Sequence, residues 1–108
     1  MANFYKDNDD IQFLFKNMDM AGVTDVIEEG FKFAKEFDYA PADVAEAIEN
    51  YDLVLDSLGK LSGDFVAPRS EEIDRQGSTL NDDGTVSYAD GIKKSLDMLA
   101  KANVMGFT

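Results

Sequence analysis

The chain of 108 residues contains no cysteine, no histidine and no tryptophan, and only 2 prolines. Each absence narrows the chemistry. Without Cys or His there is no Cys/His zinc site, no disulfide framework, no Cys or Ser–His nucleophile and no Glu-x-x-His di-iron pattern. No apolar run approaches the ~18 residues of a membrane-spanning helix. The opening Met1-Ala-Asn-Phe-Tyr-Lys-Asp lacks the charged and apolar regions of a signal peptide, so a cytoplasmic protein is expected. Basic side chains are also scarce: 10 against 22 acidic ones, a net charge of −12. Such a chain repels phosphate backbones and anionic membrane surfaces, and no Lys/Arg cluster offers a basic face.

What is present is enough for one domain, a single compact unit with a modest core, and too little for two. Hydrophobic residues make up 44% and charged residues 30%, with 8 Phe and 4 Tyr available for a modest core. Asp9 and Asp10 offer helix-starting oxygens before Ile11, Leu14, Phe15 and Met18, which fall on one helical face. Gly22 punctuates. Thr24 or Asp25 can cap a second helix striped by Val23, Ile27, Phe31, Ala34 and Phe37, with Gly30 inside it inviting close approach of another backbone. Pro41 and Asp43 suit the first turn of a long helix, whose stripe is Val44, Ile48, Tyr51, Leu55, Leu58, Ser62 and Phe65. Ala47, Val54 and Leu61 widen that stripe to an adjacent face, so more than one neighbour is expected.

Within this helix, Gly59-Lys-Leu-Ser-Gly63 reads as a small-residue groove for another helix, since the flanking charges rule out a membrane dimer. Pro68 predicts a kink, or a break and restart. Residues 69–76 read as helical again, with Gly77 as the residue that ends them, and Asp90 caps a last helix carrying Ile92, Leu96 and Leu99. The expected fold is all-α, a helical bundle of about four to five helices with one short β-hairpin.

The hairpin competes with a calcium reading of Ser78–Gly91, "STLNDDGTVSYADG". With Gly84 at the sixth position of an EF-hand loop, Thr79, Asn81 and Asp83 take the first three ligand positions, Ser87 the ninth and Asp90 the twelfth. Asn81, Asp83 and Gly84 fit. Thr79 is neutral where a carboxylate is needed, and Asp90 is a methylene short for bidentate binding. A hairpin needs less: Leu80 before the turn, Asn-Asp-Asp-Gly within it, Val86 and Tyr88 alternating after it. The hairpin is the expected outcome.

Other carboxylates are read as solvated faces. Asp7, Asp9 and Asp10 stand at a helix start; Glu28 with Glu29, Glu46 with Glu49, and Glu71, Glu72 and Asp74 fall mostly on polar faces. A paired-carboxylate acid/base site requires one group desolvated beside a cleft, and no such environment is legible. No catalytic, cofactor-binding or metal-binding residue is assigned. The closing Val104, Met105 and Phe107 either pack back on the helices or belong against a further domain, and the second is expected.

Several segments, in order, carry a family resemblance. "DFVAPRSEEIDRQG" (Asp64–Gly77) resembles the end of the long N-terminal helix of acyl-CoA dehydrogenases, where Ala-Pro-Arg precedes an acidic stretch and Asp-Arg-x-Gly. "LNDDGTVSYADGIKKSL" is similar to the insert that follows in a long subfamily, and "LAKANVMGFT" to the run before that family's Pro-x-x-Tyr-Gly-Gly. "FYKDNDDIQFLF" resembles the subfamily's extra N-terminal segment. The resemblance implies N-terminal extension helices over residues 1–40 and, over residues 41–108, the start of the family's N-terminal helical domain. It further implies a parent enzyme that oxidises acyl-CoA thioesters with FAD, in dimers or tetramers. The parent's catalytic Glu lies in its C-terminal part, so residues 1–108 alone are expected to be inactive and to bind no flavin. This portion would supply one wall of the acyl pocket and contacts to other domains. Two rival readings stand beside it: a free-standing acidic binding module, with weak calcium binding at 79–90 as its sharpest form, and a helical docking protein using the apolar C-terminal segment.

Overall fold

The computed structural model describes residues 2–105. They are mostly helical, with one two-stranded antiparallel ribbon, and the chain divides into two compact units, Met1–Leu61 and Ser62–Thr108.

In the first unit, helix α1 spans Asp9–Asn17, α2 Met20–Ile27 and α3 Val44–Leu61. The cap of α1 is Asn8, whose side chain accepts from the Ile11 N–H at 3.0 Å. Asp9 and Asp10, expected to supply that oxygen, lie instead in the first turn, where their charge complements the helix dipole. For α2 the cap is Asp19, accepting from the Gly22 N–H at 3.1 Å. This corrects two expectations: Gly22 lies inside the helix, and Thr24 is no cap. Thr24 is buried, and its hydroxyl donates to the carbonyls of Met20 and Ala21.

The second helix was expected to run through Phe37. It stops at Ile27, because Glu29, Gly30 and Phe31 all take positive φ (49°, 68° and 61°). Three consecutive left-handed residues cannot continue a right-handed helix. A Cβ on Gly30 would meet nothing within 4 Å, so this glycine serves the turn and not a close backbone approach. A 3-10 turn at Lys32–Lys35 follows.

Before α3, the Asp43 carboxylate accepts from the Glu46 N–H at 2.9 Å, and the Glu46 carboxylate reaches back to the Ala42 N–H at 2.9 Å, a variant of the capping box. Helices α2 and α3 pack together, with Ala47 fully buried. The small-residue groove on α3 is filled, but not by a helix. A Cβ on Gly59 would lie 2.6 Å from the Tyr5 backbone nitrogen and 2.7 Å from its Cβ, so the N-terminal segment occupies the groove.

In the second unit the departure from α-helical geometry comes at Ser62, well before Pro68. A π-helical segment, Ser62–Val66, leads into a 3-10 turn, Ala67–Arg69, and then helix α4, Ser70–Gln76. Pro68 cannot donate to the carbonyl of Asp64, and its ring crowds that carbonyl, so the chain widens and then tightens before restarting. Gly77 ends α4 at φ 63°. Strands β1 (Thr79–Leu80) and β2 (Val86–Ser87) pair Thr79 with Ser87 and Leu80 with Val86.

Helix α5 spans Asp90–Lys101 and packs on α4, where Gly91 meets Ile73. Its cap position is Ala89, which is buried. Asp90, expected as the cap, is the first helical residue, and its N–H donates to the Gln76 side chain at 3.1 Å. Val104 is half-buried and Met105 exposed. The expectation for Phe107 lies outside the described residues. No helix among the described residues is long and apolar enough to cross a membrane.

Candidate functional site

The loop from Asn81 to Thr85 is closed by its own polar groups. The Asn81 N–H donates to the Thr85 carbonyl at 2.8 Å, the Gly84 N–H to the Asn81 carbonyl at 3.0 Å, and Gly84 sits at φ 83°. That is the bonding of a tight turn followed by a glycine bulge. Asp83 Oδ1 accepts both the N–H (2.9 Å) and the hydroxyl (2.6 Å) of Thr85. Those two bonds hold the Asp83 carboxyl below the usual carboxylate range. The Asn81 amide donates to Thr85 and Ser87 side chains. The oxygens that a calcium ion would recruit are therefore turned to the hairpin, and no group of three or more carboxylates converges on a point among the described residues.

Several other acidic side chains are likewise held in local pairings. Asp7 accepts the Asn3 N–H, Glu28 accepts the Tyr51 hydroxyl, Glu29 pairs with Lys32 and Glu71 with Arg75. Burial, followed by the Glu28 bond and charge, pushes the Tyr51 phenol up to about 12. These are structural pairings of partly exposed groups, and none forms a desolvated acid beside a base.

A clasp that periodicity does not announce lies at the N-terminus. Tyr5 is 3% exposed; its hydroxyl donates to Asp52 Oδ1 at 2.6 Å, and its ring meets Phe15 edge-on with centroids 6.1 Å apart. The Asn3 amide donates to Asp56 Oδ1 at 2.7 Å, and Lys6 lies 3.6 Å from the other Asp56 oxygen. Burial is the largest reason that the Tyr5 phenol is pushed up to about 12, with the Asp52 bond and charge adding to it. The only sequence signal for this clasp is Gly59, which reads as a groove for another helix and not for the N-terminal segment.

Among the described residues of the first unit are two concave surfaces. One, of about 530 Å³, is lined by Met18, Gly22, Val23, Val26 and Ile27 with Asp19 at its edge, and is almost wholly apolar. Apolar side chains of α1 and α2 are left uncovered: Val26 is 76% exposed and Phe13 65%, and Leu14, Met18 and Ile27 are exposed as well. The other, of about 470 Å³, lies between Tyr39 and α3, over Pro41, with Leu53, Asn50 and three carboxylates, Asp38, Glu46 and Glu49, around it. The Tyr39 ring stacks on Phe37 with centroids 5.3 Å apart. Sequence reading missed this second surface because Tyr39 falls between periodic segments.

Searches of protein families, curated proteins and solved structures return no match for this chain.

Proposed function

We propose that this chain is the N-terminal helical portion of a flavin-dependent acyl-CoA dehydrogenase, in which its helices join a bundle, pack against further domains and wall one side of the acyl pocket. The ordered resemblance of Phe4–Phe15, Asp64–Gly77, Leu80–Leu96 and Leu99–Thr108 motivates the reading. The observation that carries it is the uncovered apolar face of α1 and α2, because exposed patches of contiguous Phe, Leu, Met, Val and Ile mark surfaces that something covers. A multidomain, oligomeric cytoplasmic enzyme would provide that cover.

We assign no FAD site to this chain: a flavin diphosphate needs clustered free cations or a cradle of backbone N–H groups, and the lysines outside the ion pairs, Lys16, Lys35, Lys60, Lys94 and Lys101, are scattered along the sequence. In this reading the flavin, the catalytic Glu and the electron acceptor's site belong to other parts of the parent enzyme, and this chain takes no chemical step.

The test is the product of the complete reading frame that contains these residues. It should purify yellow, with about one flavin per chain, and bleach when an acyl-CoA thioester is added without oxygen. A colourless product overturns the proposal, as does a flavin that does not respond to acyl-CoA. The gene should also encode Pro-x-x-Tyr-Gly-Gly directly after Thr108; any other sequence there counts against the family.

A further inference from the structure

We propose that the groove between Tyr39 and α3 docks an arginine side chain presented by a partner polypeptide. The proposal stands on the groove's own chemistry and does not require the enzyme family suggested above.

Tyr39 is 79% exposed, with one face stacked on Phe37, so its other face is open to solvent. Leu53, 59% exposed, lines the same space. Asp38 and Glu49 border the space, and neither is in an ion pair among the described residues; no lysine or arginine lines it. Glu46 also borders it, with one oxygen held by the Ala42 N–H.

The carboxylates do not converge on a point that could hold a metal ion. Lining one space together with an aromatic ring, they suit a wide, delocalised cation. A guanidinium stacks on a tyrosine ring, directs its N–H donors outward in its own plane to carboxylates, and lays its aliphatic stem along a leucine. Lysine's compact, strongly hydrated ammonium makes poorer use of the same groove. An anionic partner is repelled by the chain's net charge of −12, which steers cations toward it. A volume of about 470 Å³ falls within the roughly 300–1,000 Å³ of ordinary ligand sites.

The experiment titrates the isotopically labelled 108-residue chain with a short Gly-Leu-Arg-Leu-Gly peptide, followed by amide chemical shifts. Saturable shifts confined to residues near 37–53 are expected. Replacing the peptide's Arg by Lys, or Tyr39 by Ala, should weaken binding about two- to fivefold, the worth of one exposed cation–π contact. The paired change Asp38→Asn with Glu49→Gln should weaken it about fivefold, as the loss of two exposed ion contacts predicts. Glu71→Gln with Glu72→Gln removes the same charge from α4 and should leave affinity unchanged. Absence of saturable shifts overturns the proposal. So does equal weakening by the α4 pair, which would mean diffuse attraction of a cation to an acidic chain. If Tyr39→Ala does not fold, Tyr39→Leu with the Arg/Lys peptide comparison decides: no preference for Arg on the native chain overturns the site.

Discussion

The backbone N–H of Phe4 donates to the carbonyl oxygen of Gly59 at 3.0 Å, holding the N-terminal segment where α3 has no side chain. Glycine inside a helix ordinarily costs up to ~1 kcal/mol against alanine. Here a methyl group would strike the Tyr5 backbone at 2.6 Å and also Asn3 Oδ1, and the backbone contact cannot swing aside. Gly59→Ala should therefore destabilise the chain by about 1–3 kcal/mol, the usual cost of overpacking. With residues 2–7 deleted the sign should reverse, and the same substitution should stabilise by up to ~1 kcal/mol. Denaturant melts of the four chains check this; alanine that is neutral in both backgrounds would refute the clasp.

The tyrosines of this unit make stability sensitive to alkali. Tyr5 and Tyr51 each have a phenol raised to about 12, above the value of 10.0 they have when unfolded. Below pH 10 both are protonated in either state, and their contribution is fully present. As pH rises from 10 toward 12 the unfolded chain releases those protons first, so stability falls. Melts across this range should show the loss, and Tyr5→Phe should remove part of it while costing ~1 kcal/mol at neutral pH through the bond to Asp52. Absorbance of phenolate should show two groups titrating near pH 12; a flat stability profile from pH 9 to 12 would contradict the picture.

In the hairpin, Asp83 works for the turn. Asp83→Ala should speed hydrogen exchange at the Thr85 amide, whose partner it removes, without altering the helices. Because the carboxyl is held below its usual range, its help is present at neutral pH and is lost as pH falls through the folded-state value. Calcium titrated calorimetrically should give no saturable event. A micromolar event abolished by Asp83→Ala would restore the ion-site reading.

The hairpin and α3 were legible because their signals are local. Asn81 to Gly84 are consecutive, and the long stripe from Val44 to Leu58 has a single period. The end of α2 was not. Phe31, Ala34 and Phe37 keep the helical spacing, and periodicity is blind to the left-handed turn at Glu29–Phe31 that interrupts them. Caps shifted by a residue where polar side chains run together: Asp7, Asn8, Asp9 and Asp10 could each start α1, and geometry chose Asn8. The clasp and the Tyr39 groove depend on distant partners, Tyr5 with Asp52 and Tyr39 with Leu53, which a single sequence does not pair.

The uncovered face of α1 and α2 allows a test in two settings. Val26 lies near the C-terminal end of α2 and is 76% exposed. Lysine there has good helix propensity, and its charge complements the end of the helix dipole. In the 108-residue chain Val26→Lys should change stability by no more than about 0.5 kcal/mol, as exposed substitutions do. Binding of an apolar dye and any concentration-dependent association should fall. In the product of the complete reading frame the same lysine would be buried against the covering surface, with no built partner for its charge. Assembly or thermal stability should then drop by several degrees, since an unpaired buried charge costs several kcal/mol. A variant that is silent in both settings would show that nothing covers this face. One that unfolds the short chain would show that Val26 is already packed in solution.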